Sequence, residues 1–250
     1  MKYILDSLRA EYTKYFDAMF NEFNFGGVFT EGYEEPEYCY YDWGESDDMS
    51  DKYDVWFATG ATRFVMGTDD CDYVVKFQFP WDKTDYGAIE VAVYNDAVVS
   101  GLKEQFTWCA KLMDYTYEEF TFPVYVYERA DCNHNDISDG SYEYHYKGYC
   151  REEGLNPEDK ESRRRWSNCC YNSGTHYASS QGLIYYAFSI WGLDEDMRNE
   201  FVALLYRHKV NDLHSGNWGY IDNQLVLTDF AGYDDPNSRD YVCFKANKGE

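Results

Sequence analysis

The chain has 250 residues, of which 44% are hydrophobic and 20% aromatic, so it can bury a core in one large domain or in two lobes. Its 46 acidic and 22 basic residues give a net charge of −24, which argues against direct binding to nucleic acid or to anionic membranes, because both would repel it. No run of about 18 or more apolar residues is present, so no transmembrane helix is expected.

The first predicted element is an amphipathic helix over residues 1–23, because its apolar side chains recur at helical spacing. They are Ile4, Leu5, Leu8, Tyr12, Tyr15, Phe16 and Met19. Charged residues enter this segment too early for a secretory signal, and the eight cysteines form no regular CxxC pair. We therefore expect a cytoplasmic protein with reduced thiols.

An acidic, Gly-rich stretch, residues 24–52, is predicted to be an exposed connector, and strands dominate after it. Residues 55–67 predict a hairpin, and residues 72–79 predict a third strand. Residues 86–102 are Ala-rich and predict a helix, whereas residues 120–130 return to β-type residues. The predicted order of this block is hairpin, strand, helix and strands.

Residues 131–178 are rich in Asp, Asn, Ser, Tyr and Cys and are interpreted as an irregular insertion. Helical patterns resume over residues 179–192 and 194–208, and the second helix opens with acids and closes with bases, as the helix dipole favours. A loop and a short strand follow. A tight turn at residues 222–223 and a strand over residues 225–230 complete a second predicted hairpin.

Three oxygen-bearing residues stand out in this last region. Asp212 and Asn217 lie five positions apart in a loop that leaves a predicted helix, so both can point into one site. Asp229 ends the second strand of the hairpin that follows. Mg²⁺ commonly binds few protein carboxylates and completes its coordination shell with phosphate oxygens and water.

The order D-x-x-x-x-N, hairpin, DF resembles the catalytic loop and DFG segment of the protein-kinase-like superfamily. The form DLHSGN is similar to that of aminoglycoside and choline kinase relatives and of small bacteriophage-encoded kinase-like proteins. The resemblance implies that Asp212 is the catalytic base for an acceptor hydroxyl and that Asn217 and Asp229 bind Mg²⁺. It also implies the host cytoplasm as the location if a phage encodes the chain.

The strand-rich block contains further positions that match this superfamily. The segment FATGATRFV resembles the glycine-rich loop GxGxxGxV through Gly60 and Val65, whereas Ala58 and Arg63 replace the outer glycines. By the same resemblance, Lys76 in YVVKF would steady the α- and β-phosphates of ATP. A lone lysine within an apolar strand also calls for a partner, because an unpaired buried charge is costly.

The helix glutamate that would pair with Lys76 is interpreted as Glu90, fourteen residues further on, with Glu104 as the alternative. Adenine would hydrogen-bond backbone groups between Glu128 and Ala130, where the N-lobe ends. Each of these assignments is implied by the resemblance, since a chain with 46 acidic residues also supplies ordinary solvated acids freely.

The resemblance implies an α+β, bilobal kinase-like fold, with a small antiparallel sheet in the N-lobe and a reduced, mainly helical C-lobe. Residues 1–52 would form the N-terminal helix and connector, residues 53–130 the N-lobe, and residues 131–250 the C-lobe with its insertion. The expected activity is ATP- and Mg²⁺-dependent transfer of a phosphoryl group to a hydroxyl of a protein or small molecule.

The chain departs from the superfamily pattern in several places. Val210 and Asn211 stand where the superfamily has His and Arg before the catalytic Asp, and Ala231 stands where the DFG segment ends in Gly. Few residues follow in this sequence, so we expect none of the helices that bind peptides in ordinary protein kinases. The acceptor site would then come from residues 131–178, from the N-terminal extension or from a partner protein.

Several alternatives stay open. A pseudokinase-like acidic protein, including a phage anti-defence inhibitor, would bind a partner without catalysis, and nucleotidyl transfer would use much the same residues as phosphoryl transfer. The basic run at residues 163–165 favours a solvated helix, with binding of phosphate or of an acidic partner as the alternative. Zn²⁺ binding would need ligands from the insertion, whose spacing fits no usual zinc pattern. They are Cys132, His134, Cys150, Cys169 and Cys170.

Overall fold

The structure is a computed structural model, and it describes residues 2–23, 43–59, 63–78, 84–118, 120–132, 146–147, 150–151, 153–165, 176–210, 213 and 215–231. The chain forms two compact units that combine helices and strands, which confirms the expected α+β class. The first unit is Met1–Val91 with Trp108–Arg129, and the second is Ala92–Thr107 with Ala130–Glu250. Residues 92–107, expected in the N-lobe, therefore belong to the second unit.

The first unit is built on a five-stranded antiparallel sheet with the strand order β1-β2-β3-β5-β4. Its strands are β1 (Val55–Thr59), β2 (Arg63–Thr68), β3 (Tyr73–Gln78), β4 (Cys109–Tyr117) and β5 (Phe120–Glu128). Val65 lies opposite Lys76, and Lys76 lies opposite Tyr125, so these three side chains share one face. The predicted positions of β1, β2, β3 and β5 are confirmed.

Strand β4 was not predicted. The register with β5 shifts between Lys111 and Met113, which marks a β-bulge. A bulge interrupts the alternation of inward and outward side chains on which strand prediction depends. Buried residues therefore recur at every third position, at Cys109, Leu112 and Tyr115, and this period conceals the strand.

Helix α1 (Lys2–Asn21) covers one face of this sheet, and its predicted position is confirmed. The ring of Phe16 lies 5.0 Å from the rings of Phe77 and Tyr115, and the Tyr12 hydroxyl donates to the Tyr73 carbonyl at 3.2 Å. Aromatic side chains bury a large area each, so they supply a core in a chain with few aliphatic residues.

Helix α2 (Trp43–Tyr53) replaces the end of the expected connector. Met49 is fully buried, and Lys52 and Tyr53 both bind the Glu22 carboxylate, the tyrosine hydroxyl at 2.9 Å. The connector was expected over residues 24–52; its end from Trp43 onward is instead helical and buries Met49, whereas residues 24–42 lie outside the described residues. This acidic helix has few apolar residues, so its sequence shows no apolar stripe at helical spacing.

Helix α3 (Tyr86–Val99) begins in the first unit and ends in the second, and its prediction is confirmed. The Asp85 carboxylate accepts from the Ala88 amide at 3.0 Å and from the Tyr125 hydroxyl at 2.9 Å, which ties the first turn to β5. A Cβ added at Gly87 would lie 2.1 Å from the Tyr125 ring, so only glycine allows this close approach.

The second unit contains two helices and a hairpin at the predicted positions. They are α4 (His176–Trp191), α5 (Glu195–Arg207), β6 (Trp218–Ile221) and β7 (Gln224–Leu227). Asp194 caps α5 by accepting from the Met197 amide at 2.9 Å. The hairpin turn has φ of 49° at Asp222 and 65° at Asn223, the left-handed geometry that short polar side chains tolerate.

Neighbouring segments of the second unit hold this hairpin on both sides. Leu227 accepts from the Thr107 amide at 3.0 Å, and Tyr220 exchanges two 2.9 Å hydrogen bonds with Asp131. A Cβ at Gly219 would lie 2.9 Å from the Asp131 carbonyl oxygen, which excludes a side chain there. Among the described helices, none is long and apolar enough to cross a membrane.

Candidate functional site

The structure brings Lys76 and Glu90 together within the first unit. Lys76 projects from β3 with 11% of its side chain exposed, and Glu90 projects from α3 with 0% exposed. Their Nζ and Oε1 atoms are 4.0 Å apart. The alternative, Glu104, lies in the 3₁₀ helix Lys103–Gln105, is 61% exposed and pairs with Lys103 at 3.2 Å. Of the two candidate glutamates, Glu90 is therefore the one beside Lys76.

Arg63 binds the Glu90 carboxylate more closely than Lys76 does, a contact that the sequence did not predict. Its Nη1 donates to Oε2 of Glu90, and its Nη2 donates to Oε1 at 3.2 Å. The Tyr127 hydroxyl also donates to Oε2. The only signal in the sequence was an arginine at the position of the last glycine of the glycine-rich loop, in a strand that is otherwise apolar.

The electrostatics around Glu90 follow from burial. The Lys76 Nζ lies 4.4 Å from the centroid of the Tyr127 ring, in position for a cation–π interaction. Burial, with a further contribution from Glu90, raises the pKa of Tyr127 well above its ordinary value. The same two causes raise the pKa of the buried Cys109 thiol. Both groups are therefore neutral at physiological pH.

Asn217 and Asp229 come together in the second unit. Asn217 ends the 3₁₀ helix Ser215–Asn217 and is buried, and Asp229 lies two residues beyond β7 and is partly buried. The Asn217 carbonyl accepts from the Thr228 amide at 2.8 Å and from the Asp229 amide at 3.5 Å. Backbone hydrogen bonding thus makes the two expected Mg²⁺ ligands neighbours, and their donor types, an amide and a carboxylate oxygen, fit that ion.

Two expected site residues lie outside the described residues. Gly60 falls between β1 and β2, and Asp212 precedes the described Leu213. The catalytic-base assignment of Asp212 and the loop assignment of Gly60 therefore stay predictions. Leu213 itself is buried.

The expected adenine-binding segment has part of its backbone committed to the fold. The Glu128 amide donates to the Trp108 carbonyl at 3.0 Å, and the Arg129 amide donates to the Asp72 carbonyl at 2.7 Å. Adenine binding between Glu128 and Ala130 would therefore use other backbone groups of this segment.

The remaining candidates are described only in part. Cys132 is exposed and Cys150 is buried, whereas His134, Cys169 and Cys170 lie outside the described residues. Within the described ranges, no group of three or more His, Cys, Asp or Glu side chains is placed to hold a metal ion.

The basic run at residues 163–165 has internal partners. Arg164 and Arg165 both bind Glu161, at 2.8 Å and 3.6 Å. Arg163 lies 4.5 Å from the centroid of the Tyr146 ring. These contacts agree with the interpretation of this run as part of a solvated helix.

Comparison of the chain with protein-family models, with curated proteins and with solved structures gives no match. The kinase-like interpretation thus rests on the motif residues and on the geometry of the two residue pairs, Lys76 with Glu90 and Asn217 with Asp229.

Proposed function

We propose that the chain is an ATP- and Mg²⁺-dependent kinase-like phosphotransferase with a bilobal kinase-like fold. The observation that carries this proposal is the buried placement of Lys76 beside Glu90, on a strand and the helix that follows it. Burying opposite charges costs desolvation free energy, so stability alone does not call for such a pair. The superfamily that the motifs resemble uses this pair, in this chain order, to hold the phosphates of ATP.

The neighbouring positions of Asn217 and Asp229 support the same proposal independently. One ends a 3₁₀ helix and the other follows a strand, yet backbone hydrogen bonds hold them side by side. Mg²⁺ bound by these two residues would offset the charge on the phosphate oxygens of the nucleotide. Mg²⁺ keeps several waters, so two protein ligands suffice.

In the proposed reaction, the acceptor hydroxyl oxygen forms a bond to the γ-phosphorus while the bond to the leaving ADP oxygen breaks. Asp212 orients the acceptor and receives its proton, and Lys76 holds the α- and β-phosphates. Glu90 is fully buried, so its role is to position the side chains that surround it. Catalysis of this type consists of positioning and electrostatic stabilisation.

A second candidate function is binding of a partner without catalysis, as in a pseudokinase. The specific observation is that Arg63, at a position where the resemblance expects glycine, holds Glu90 through both of its carboxylate oxygens. The net charge of −24 would favour a basic partner.

A thermal-shift experiment tests nucleotide binding. The melting temperature is measured with ATP and Mg²⁺, with ATP alone and with Mg²⁺ alone, for the wild type, Asp229→Asn and the matched control Asp222→Asn. Asp222 lies in the exposed turn of the same hairpin. We expect a Mg²⁺-dependent rise for the wild type and the control and none for Asp229→Asn. A wild type without a Mg²⁺-dependent rise would contradict the enzyme and its nucleotide site.

Transfer is tested separately with γ-labelled ATP and cell extract. Label that reaches an acceptor in the wild type but not in Asp212→Asn supports phosphoryl transfer, and the mass added to the product distinguishes phosphoryl from nucleotidyl transfer. A protein that shows the Mg²⁺-dependent thermal shift but transfers nothing would support the pseudokinase.

A further inference from the structure

Among the described residues, Arg63 donates two hydrogen bonds to the Glu90 carboxylate. A carboxylate offers about four lone-pair sites, and the Arg63 guanidinium and the Tyr127 hydroxyl together donate three hydrogen bonds to it. The guanidinium binds both oxygens as a fork, an arrangement that an ammonium group cannot reproduce. Arg63 also donates to the Tyr127 hydroxyl oxygen at 3.3 Å, which closes a ring of contacts among the three side chains.

The Lys76 ammonium lies at the limit of ion pairing with the same carboxylate. Its 4.0 Å separation from Oε1 exceeds hydrogen-bond length. Its distance of 4.4 Å from the Tyr127 ring centroid is well within the range of a cation–π contact. Tyr127 lies opposite Val74, two residues from Lys76 on the neighbouring strand, so the ring and the lysine are diagonal neighbours on one face.

We infer that Arg63 is the residue that fixes Glu90 and that the Tyr127 ring holds the Lys76 ammonium, which makes Arg63 and Tyr127 positioning residues for the nucleotide site. This inference rests on the proposed function. In the superfamily that the motifs resemble, the helix glutamate holds the strand lysine directly. Here the arginine binds that glutamate, and the tyrosine connects the two halves of the cluster through its hydroxyl and its ring face.

The protonation state of Tyr127 agrees with this arrangement. Burial raises the pKa of the phenol well above its ordinary value, so the hydroxyl keeps its proton and donates to Glu90. Cys109 lies opposite Tyr127 in the sheet register and is buried, so an apolar neighbour packs beside the ring. A cation–π contact is stronger in such desolvated surroundings.

Nuclear magnetic resonance tests the position of Lys76 without nucleotide. The lysine side chains are labelled with carbon-13 at Cε, and Lys76→Arg identifies the Lys76 signal. A proton above an aromatic ring is shielded, so the Lys76 Hε signal should lie upfield of the other lysines. We expect Tyr127→Phe to keep the shielding, because the ring remains, and Tyr127→Leu to remove it. Wild-type protein without shielding would overturn the inference.

Arg63→Gln tests the arginine in the same spectrum. Without the guanidinium fork, Glu90 should attract the Lys76 ammonium away from the ring, so the upfield shift of Lys76 should decrease. Unchanged shielding in Arg63→Gln would show that Arg63 has no influence on Lys76. The shielding of Lys76 in the wild type and in Tyr127→Phe, which keeps the ring, tests the ring contact even if Tyr127→Leu or Arg63→Gln fails to fold.

Calorimetric titration with ATP and Mg²⁺ then connects position to binding. Loss of a cation–π contact predicts a dissociation constant about tenfold higher for Tyr127→Leu, and Tyr127→Phe should stay within about twofold of the wild type. Wild-type binding that Tyr127→Leu leaves unchanged overturns this inference alone. A wild type that binds no nucleotide overturns the proposed function and the positioning role with it, even where the Lys76 shielding is as expected.

Discussion

The buried contact between Arg63 and Glu90 makes a quantitative prediction about stability. Their side chains are 6% and 0% exposed, so Arg63→Met leaves a carboxylate inside the protein without its guanidinium partner. Removing one member of a buried ion pair costs about 3–5 kcal/mol, and Glu90→Met should cost a similar amount by leaving the guanidinium.

The double variant Arg63→Met/Glu90→Met removes both charges and inserts apolar side chains of similar length. Such replacements are often neutral. The Tyr127 hydroxyl then loses its acceptor, at a cost of about 1–3 kcal/mol. We therefore expect the double variant to be at least as stable as either single variant. The coupling free energy between the two sites should be about 3 kcal/mol or more.

Equilibrium unfolding in urea, followed by circular dichroism, measures the free energy of unfolding of the four proteins in this cycle. Because the chain has two compact units, hydrogen exchange of peptides from β2, β3 and α3 should accompany it, to locate the lost stability in the first unit. The reasoning would be refuted if the double variant lost as much free energy of unfolding as the two single variants lose together.

Three further outcomes follow from individual contacts. The hydrogen bond from His208 lowers the pKa of Asp96. The Asp96 carboxylate therefore stabilises the fold above its unfolded pKa, and this stabilisation is lost as the pH falls through the lower folded pKa. In Asp96→Asn, the melting temperature should depend less on pH below about pH 4. Gly87→Ala should cost about 1–3 kcal/mol in urea unfolding, because its Cβ would overlap the Tyr125 ring. Asn223→Gly should leave the urea midpoint equal or higher and Asn223→Val should lower it, because φ there is 65°.

Most helices and strands could be predicted because their signals are local. Helix α1 carries its apolar residues at a period that matches the face it buries, and the turn at Asp222 and Asn223 carries residues suited to its left-handed backbone. The failures have physical causes of their own. Helix α2 buries Met49 within an acidic segment, and the bulge near Lys111 removes the period of two from β4.

The candidate site was predictable to the extent that its chemistry depends on residue type and spacing. Lys76, Glu90, Asn217 and Asp229 were all selected from the sequence, and the structure places the first two side by side and the last two side by side. Spacing favoured Glu90 without excluding Glu104, because both follow the strand lysine at distances that a helix allows. Burial separates them, since Glu90 is inside and Glu104 is solvated.

The sequence by itself determined the order of the elements other than α2 and β4, and the residue types from which a Mg²⁺–nucleotide site is predicted, because periodicity and motif spacing are properties of short segments. The tertiary structure decided which cation Glu90 holds. Arg63 and Glu90 are 27 positions apart, and Tyr127 is a further 37 positions along the chain. Strand register and the placement of α3 bring them together. Such long-range contacts have no local signature, so the sequence alone did not show that Arg63, at a glycine position of the motif, binds the buried Glu90.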